Sequence, residues 1–83
     1  MDRQQILDII LKHIRNNVDG LEDAQIDVGQ SMASYGATSL DIVEVVSAAK
    51  QELEIRVART ELADLKNIGE LADLFFKIKN QGR

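Results

Sequence analysis

The sequence of 83 residues has no cysteine and no tryptophan, and only two Phe, one Tyr and one His. Without cysteine there is no disulfide framework and no thiolate metal site. With His13 as the single imidazole, a self-contained nucleophile–base pair or a zinc centre has very few residues to draw on, so an autonomous enzyme is not expected. No early apolar run is long enough for a signal peptide or a membrane span, which points to a cytoplasmic protein without a membrane partner. Basic residues are in the minority as well. Ten Lys and Arg stand against fourteen Asp and Glu, a formal charge of −4. That balance repels phosphate backbones, argues against nucleic-acid binding, and favours partners with a positive surface.

What is present is enough apolar material, 45% of the chain, for one small core, and the scarcity of aromatic residues makes that core aliphatic. A domain this short hides only roughly 60% of its unfolded surface, so a single marginally stable unit over residues 1–83, a monomer, is expected. From Asp2 to Asn17, Ile6, Leu7, Ile9, Ile10, Ile14 and then Val18 recur at spacings of three and four, lining one side of a helix that Asp2 caps and Asn16 and Asn17 stop. Periodicity is lost from Val18 to Thr38, where Gly20, Gly29 and Gly36 punctuate a polar stretch. A loop this long is uncommon unless functional or partly folded; Ser31 to Tyr35 supplies a short turn anchored by Met32 and Tyr35, with Ile26 and Val28 as further pins. A second helix spans Ser39 to Leu53, with Ile42, Val45, Val46, Ala49 and Leu53 on one side. After a connector from Glu54 to Arg59, Thr60 is expected to cap a short helix, Glu61 to Leu65, that buries Leu62 and Leu65. Asn67 and Glu70 form a capping-box-like start for a last helix with Ile68, Leu71, Ala72, Phe75 and Ile78 inward, and Lys77 and Lys79 complement its dipole. The fold class is all-α: a bundle of three main helices, a short third helix and a long first loop.

The segment that carries the function lies where the long loop enters the second helix. Taken alone, Thr38 or Ser39 is an ordinary N-cap or first-turn residue. In context, Tyr35-Gly36-Ala37-Thr38-Ser39-Leu40-Asp41-Ile42-Val43-Glu44 resembles the signature of the acyl carrier protein family, a serine at a helix start followed by Leu-Asp or Leu-Glu. The resemblance extends over most of the chain, from the apolar first helix to the closing aromatics. It implies a four-helix bundle of acyl-carrier type and 4'-phosphopantetheine as cofactor, received from coenzyme A on Ser39 through a separate magnesium-dependent phosphopantetheinyl transferase. It implies a non-catalytic protein that holds acyl groups as thioesters and delivers them to an acyltransferase, a ketosynthase or a hydroxymethylglutaryl-CoA-synthase-like enzyme. Thr38, Leu40, Asp41, Val43 and Glu44 around the serine are the expected partner-binding residues; for Val43, core packing is the competing reading. A phosphodiester on Ser39 would sit at the positive end of the second helix, and Gly36 would let the loop turn there.

The sequence departs from the family pattern in three places. Thr38 stands where carriers usually have aspartate, removing a charge that a transferase could read. Lys50 and Gln51 replace the usual acidic residues, so Ser39 to Glu54 holds four acidic residues and one basic, a net −3, while Ile55 to Arg83 holds six basic and four acidic, a net +2. Ala58 replaces a proline found in many relatives. The stretch from Arg59 to Asp73 is similar to free-standing carriers of secondary metabolism, in particular donor carriers of polyketide β-branching cassettes. Alternatives are a peptidyl or D-alanyl carrier, which shares the serine and the fold, an unmodified helical adaptor binding through Leu40, Val43 and Glu44, and a hydrolase built on Ser39 and His13.

Overall fold

Asp2 begins the first helix by a reciprocal cap. Its carboxylate accepts the Gln5 backbone N–H at 2.8 Å while the Gln5 side chain accepts the Asp2 N–H at 2.9 Å. The chain then runs as α1 from Arg3 to Asn17. The structure, a computed structural model, describes residues 1–81; Gly82 and Arg83, the end of the expected domain, lie outside the described residues. Ile6, Leu7, Ile10 and Ile14 of α1 are buried, together with Val18 just beyond it, and Ile9 is half-buried at the edge of that stripe.

Three further α-helices follow among the described residues, with no strand: α2 from Ser39 to Leu53, α3 from Arg59 to Ala63 and α4 from Ile68 to Asn80. Val45, Val46, Ala49 and Leu53 of α2 and Ile68, Leu71, Ala72, Phe75 and Ile78 of α4 meet the α1 stripe in one core. That core contains no buried polar residue among those described. Each fully buried aliphatic or aromatic side chain contributes about 1.5–3 kcal/mol relative to exposure, against the backbone entropy of ordering it.

The long first connection is partly folded, as its length predicts. Ala33 to Tyr35 form a 3₁₀ turn, Met32 and Tyr35 pack on the core, and Ile26 is buried. The Tyr35 hydroxyl accepts the Asp27 N–H at 2.7 Å, which ties the two ends of the loop's second half together. Two loop carbonyls also receive the first free donors of α4: Ile68 N–H donates to Gln30 O at 3.0 Å and Gly69 N–H to Val28 O at 2.8 Å. The loop is thereby fixed to the bundle on the side from which it enters α2.

Several local expectations are corrected. The short helix runs from Arg59 to Ala63, two residues earlier than expected, and Ala58 rather than Thr60 is its N-cap. The Glu61 carboxylate accepts the Ala58 N–H at 3.2 Å, a bond that proline at this position could not make. Leu62 and Leu65 are half-buried rather than core residues, because they line an open cleft described below. At the start of α4 Asn67 accepts the Glu70 N–H at 2.8 Å as expected, but the Glu70 carboxylate takes the Lys66 N–H instead of completing a box. Lys77 and Lys79 lie in the last turn of α4 as expected, and Lys79 also donates to Leu53 O at 2.8 Å at the end of α2.

α2 ends without glycine. Glu54 adopts the left-handed conformation, φ 57° and ψ 45°, and the Glu54 and Ile55 N–H groups return to Gln51 O and Lys50 O. With Ile55 buried, this is a complete Schellman motif in which a non-glycine residue bears the steric cost.

Candidate functional site at the start of α2

Gly36 sets the direction of entry into α2. Its φ of 89° lies in the region that favours glycine, and a Cβ there would meet nothing within 4 Å, so the demand is conformational rather than spatial. Two residues later Thr38 is the N-cap. Its Oγ1 accepts the Asp41 N–H at 3.1 Å and the Asp41 carboxylate accepts the Thr38 N–H at 3.0 Å. Ile42 N–H donates to Thr38 O at 3.0 Å and begins the helical ladder.

Ser39 is thus the first residue of α2, held between a fixed loop and a closed capping box. It is exposed, and its hydroxyl has no hydrogen-bond partner among the described residues. The same holds for the backbone N–H groups of Ser39 and Leu40, because the box engages only those of Thr38 and Asp41. A free hydroxyl beside two free donors at the positive end of a 15-residue helix suits a serine that carries a phosphodiester. Ser39, Leu40 and Asp41 therefore fit 4'-phosphopantetheine: the hydroxyl would take the phosphodiester, the Ser39 and Leu40 N–H groups would be free to donate to it, and Asp41 would hold the turn.

The other expected residues separate into two kinds. Leu40 is 66% exposed and Val43 59%, which rules out core packing for Val43 and leaves two large apolar side chains next to Ser39 in water. Glu44 is exposed and makes no ion pair among the described residues. Thr38 and Asp41 are occupied with each other, so both act on the geometry of the turn. The spacing of Thr38 and Asp41, a hydroxyl residue and an acid three apart, is the signal that identifies this engagement.

His13 does not meet Ser39. Its Nε2 lies 2.8 Å from Glu52 Oε1, and Glu52 also accepts from Lys12 at 2.7 Å. Glu52 is near the far end of α2, about 20 Å along the axis from Ser39 at about 1.5 Å per residue. The hydrolase reading therefore fails on geometry: its base, on α1, is held beside the C-terminal end of α2, and its nucleophile lies at the N-terminal end of α2.

Residues 10–75 match the family model described as the phosphopantetheine attachment site. The chain belongs to that family. It is 29% identical over 76 residues to the polyketide biosynthesis acyl-carrier-protein AcpK of Bacillus subtilis (strain 168), an alignment covering 92% of this chain and 93% of the relative. It is also similar to a chain in the crystal structure of the curacin biosynthetic pathway HMG synthase in complex with an acetyl donor-ACP, with TM-score 0.84 and 38% identity over 93% of this chain and 99% of that one. The fold is that of an acyl carrier, the cofactor is 4'-phosphopantetheine, and the function is to carry acyl groups rather than to make or break bonds in them. No helix among the described residues is long and apolar enough to cross a membrane.

Sequence reasoning missed one feature of the carrier. Lys50, Arg59 and Lys66, which are scattered in the sequence, come together along a cleft between α2 and α3. Only the excess of basic residues after Ile55 hinted at it.

Proposed function

We propose that Ser39 is the attachment residue and that the protein is a donor carrier in polyketide biosynthesis, presenting a short acyl group such as acetyl to an HMG-synthase-like enzyme. The observation that carries the attachment is the unengaged Ser39 hydroxyl at the first position of α2, beside two free N–H groups. A phosphopantetheinyl transferase would move the phosphopantetheinyl group of coenzyme A to Ser39 Oγ. The hydroxyl proton leaves to the transferase and adenosine 3',5'-bisphosphate is released. The arm's terminal thiol then holds cargo as a thioester, supplying the sulfur chemistry that a cysteine-free chain lacks. The pathway assignment is supported by the two relatives above, one a polyketide carrier and the other crystallised with an HMG synthase.

Docking falls to Leu40, Val43 and Glu44, the two exposed apolar side chains and the free carboxylate nearest Ser39. A partner with an apolar pocket rimmed by a cation fits this patch, and the flexible arm keeps the cargo at high effective concentration once docked.

Incubation with coenzyme A and a broad-specificity transferase should raise the intact mass by one phosphopantetheinyl group. Ser39→Ala should abolish the increase while leaving the helical circular-dichroism signal unchanged. Retention of the increase in that variant would remove Ser39 from its role, and full biological activity of the bare variant would favour the unmodified adaptor. Leu40→Ala should weaken binding to an HMG-synthase-like partner by roughly 1–2 kcal/mol, with no loss of thermal stability, because its side chain is already in water.

A further inference from the structure

Tyr35 is the only tyrosine of the chain, and packing alone does not account for its hydroxyl. The ring is half-buried against the core, a place that Phe would fill as well. The hydroxyl instead reaches eight residues back and accepts the Asp27 N–H at 2.7 Å. Within the loop that this bond closes, Asp27 Oδ1 accepts the Gly29 N–H at 2.9 Å, Asp27 O the Gln30 N–H at 3.1 Å, and Ser31 Oγ the Ser34 N–H at 3.1 Å. Val28 O and Gln30 O take the N–H groups of Gly69 and Ile68, so the closed loop rests on the start of α4. Its other end runs into the attachment turn, where Met32 O accepts both the Tyr35 N–H at 3.0 Å and the Ala37 N–H at 3.2 Å. Gly36 stands between, with φ 89° and open space where a Cβ would lie, so no side chain of its own resists a swing of the chain there. The direction in which Ser39 is presented therefore depends on what holds the two flanks of Gly36. The Thr38–Asp41 box holds the downstream flank.

We propose that Tyr35 is a positioning residue for the modification of Ser39. Its hydroxyl closes the loop of residues 27–35, the loop is seated on α4, and together they fix the upstream flank of Gly36, so that Ser39 meets a transferase in one orientation. The proposal rests on Ser39 being the attachment residue. The hydroxyl bonds to Asp27 and not to Ser39, so it acts only through the turn. A carrier whose turn is ordered for part of the time has its apparent affinity reduced by that fraction, while the complex, once formed, reacts as before. Loss of the hydroxyl is therefore read in KM and not in kcat. One neutral hydrogen bond limits the change to about two- to tenfold.

Tyr35→Phe removes the hydroxyl and keeps the ring. With coenzyme A and a broad-specificity phosphopantetheinyl transferase, the KM for this variant should rise about two- to tenfold while kcat stays at the parent value. Two further variants separate this role from charge and from general stability. Asp27→Asn keeps the backbone donor and the side-chain acceptor for Gly29, and its KM should match the parent's. Ile78→Val deletes one buried methylene near the other end of α4, lowers stability, and should likewise leave KM unchanged while the protein is folded. Amide hydrogen exchange on the unmodified proteins gives a readout independent of the transferase. In Tyr35→Phe the Asp27, Ala37 and Asp41 N–H groups should exchange faster by a larger factor than the core amides of α1 and α4. A parent-like KM in Tyr35→Phe, an equal rise in Asp27→Asn or Ile78→Val, or exchange that quickens no more at Ala37 and Asp41 than in the core would each overturn the proposal. A parent protein that gains no mass overturns instead the assignment of Ser39, and the exchange comparison still decides whether the hydroxyl holds the turn.

Discussion

Thr38 and Asp41 show how one pair of side chains can be read in two ways. A carboxylate two residues after the proposed attachment serine looks like a docking charge, yet the Asp41 carboxylate is spent on the Thr38 N–H and the Thr38 hydroxyl on the Asp41 N–H. The turn that presents Ser39 is consequently only as rigid as this box. Thr38→Ala removes half of it and should lower stability by about 1 kcal/mol, seen as a lower urea midpoint with an unchanged slope. Thr38→Asp keeps an acceptor at the cap and should hold stability within about 0.5 kcal/mol of the parent. It should also speed modification by transferases that read a negative charge before the serine. An Ala variant as stable as the parent would show that Gly36 and the pinned loop fix the turn without the box. At this scale the sequence was largely legible, because capping and the start of a helix are local. Ser39 follows from a contiguous motif, and the T-x-x-D spacing around it was in plain view. Leu40 and Val43 are both exposed beside Ser39 as expected, and only for Val43 did the sequence leave core packing open, since a strand-like run of valines fits core and surface equally well.

Helix positions followed from the apolar period wherever the period was long. α2 spans Ser39 to Leu53 as expected although its stop signal is disguised, with Glu54 taking the left-handed position where glycine would be the usual marker. α3 was misplaced because five residues give too little period, and the exposed Thr60 imitated a cap that Ala58 and Glu61 provide. Contacts between elements were not legible, since nothing in local sequence pairs Lys12 and His13 with Glu52. That cluster joins α1 to the end of α2, and Arg3 similarly joins α1 to Asp73 and the Gly69 carbonyl on α4. The hydrogen bonds from Lys12 and His13 hold the Glu52 carboxyl below the usual glutamate value of 4.5. A carboxylate lowered on folding adds stability above its unfolded value and loses it as pH falls through the folded one. The melting temperature should therefore decline from about pH 5 downward, and Glu52→Gln should flatten the Glu52 share of that decline while changing little at pH 7 and above. The effect is modest, because Glu52 is more than a third exposed and salt screens it. An unaltered pH profile in the variant would show that Arg3–Asp73 and the core alone set the acid limit.

Across the whole molecule, the charge polarity and the core answer different demands. Ser39 to Glu54 carries a net −3 and Ile55 to Arg83 a net +2, a polarity that bears on what the surface attracts, whereas stability rests almost entirely on the uncharged interior. An 83-residue domain has about 4–12 kcal/mol of stability in total, at about 0.05–0.15 kcal/mol per residue. Phe75 is the largest of the fully buried side chains and lies in the one core that α1, α2 and α4 share, so no satellite cluster can take its place. Phe75→Ala should cost about 3–5 kcal/mol and lower the melting temperature by roughly 4–8 °C per kcal/mol, enough to leave much of the protein unfolded at 37 °C. Phe75→Leu keeps most of the volume and should cost less. The two variants also separate presentation from chemistry. With Ser39 present in both, transferase modification should persist in the Leu variant at 25 °C and fall in the Ala variant as the bundle melts, because a serine on an unfolded chain has lost the helix start that makes it a substrate. Equal modification of the folded Leu protein and the melted Ala protein would mean that the transferase reads the local sequence around Ser39 and not the turn that the fold constructs.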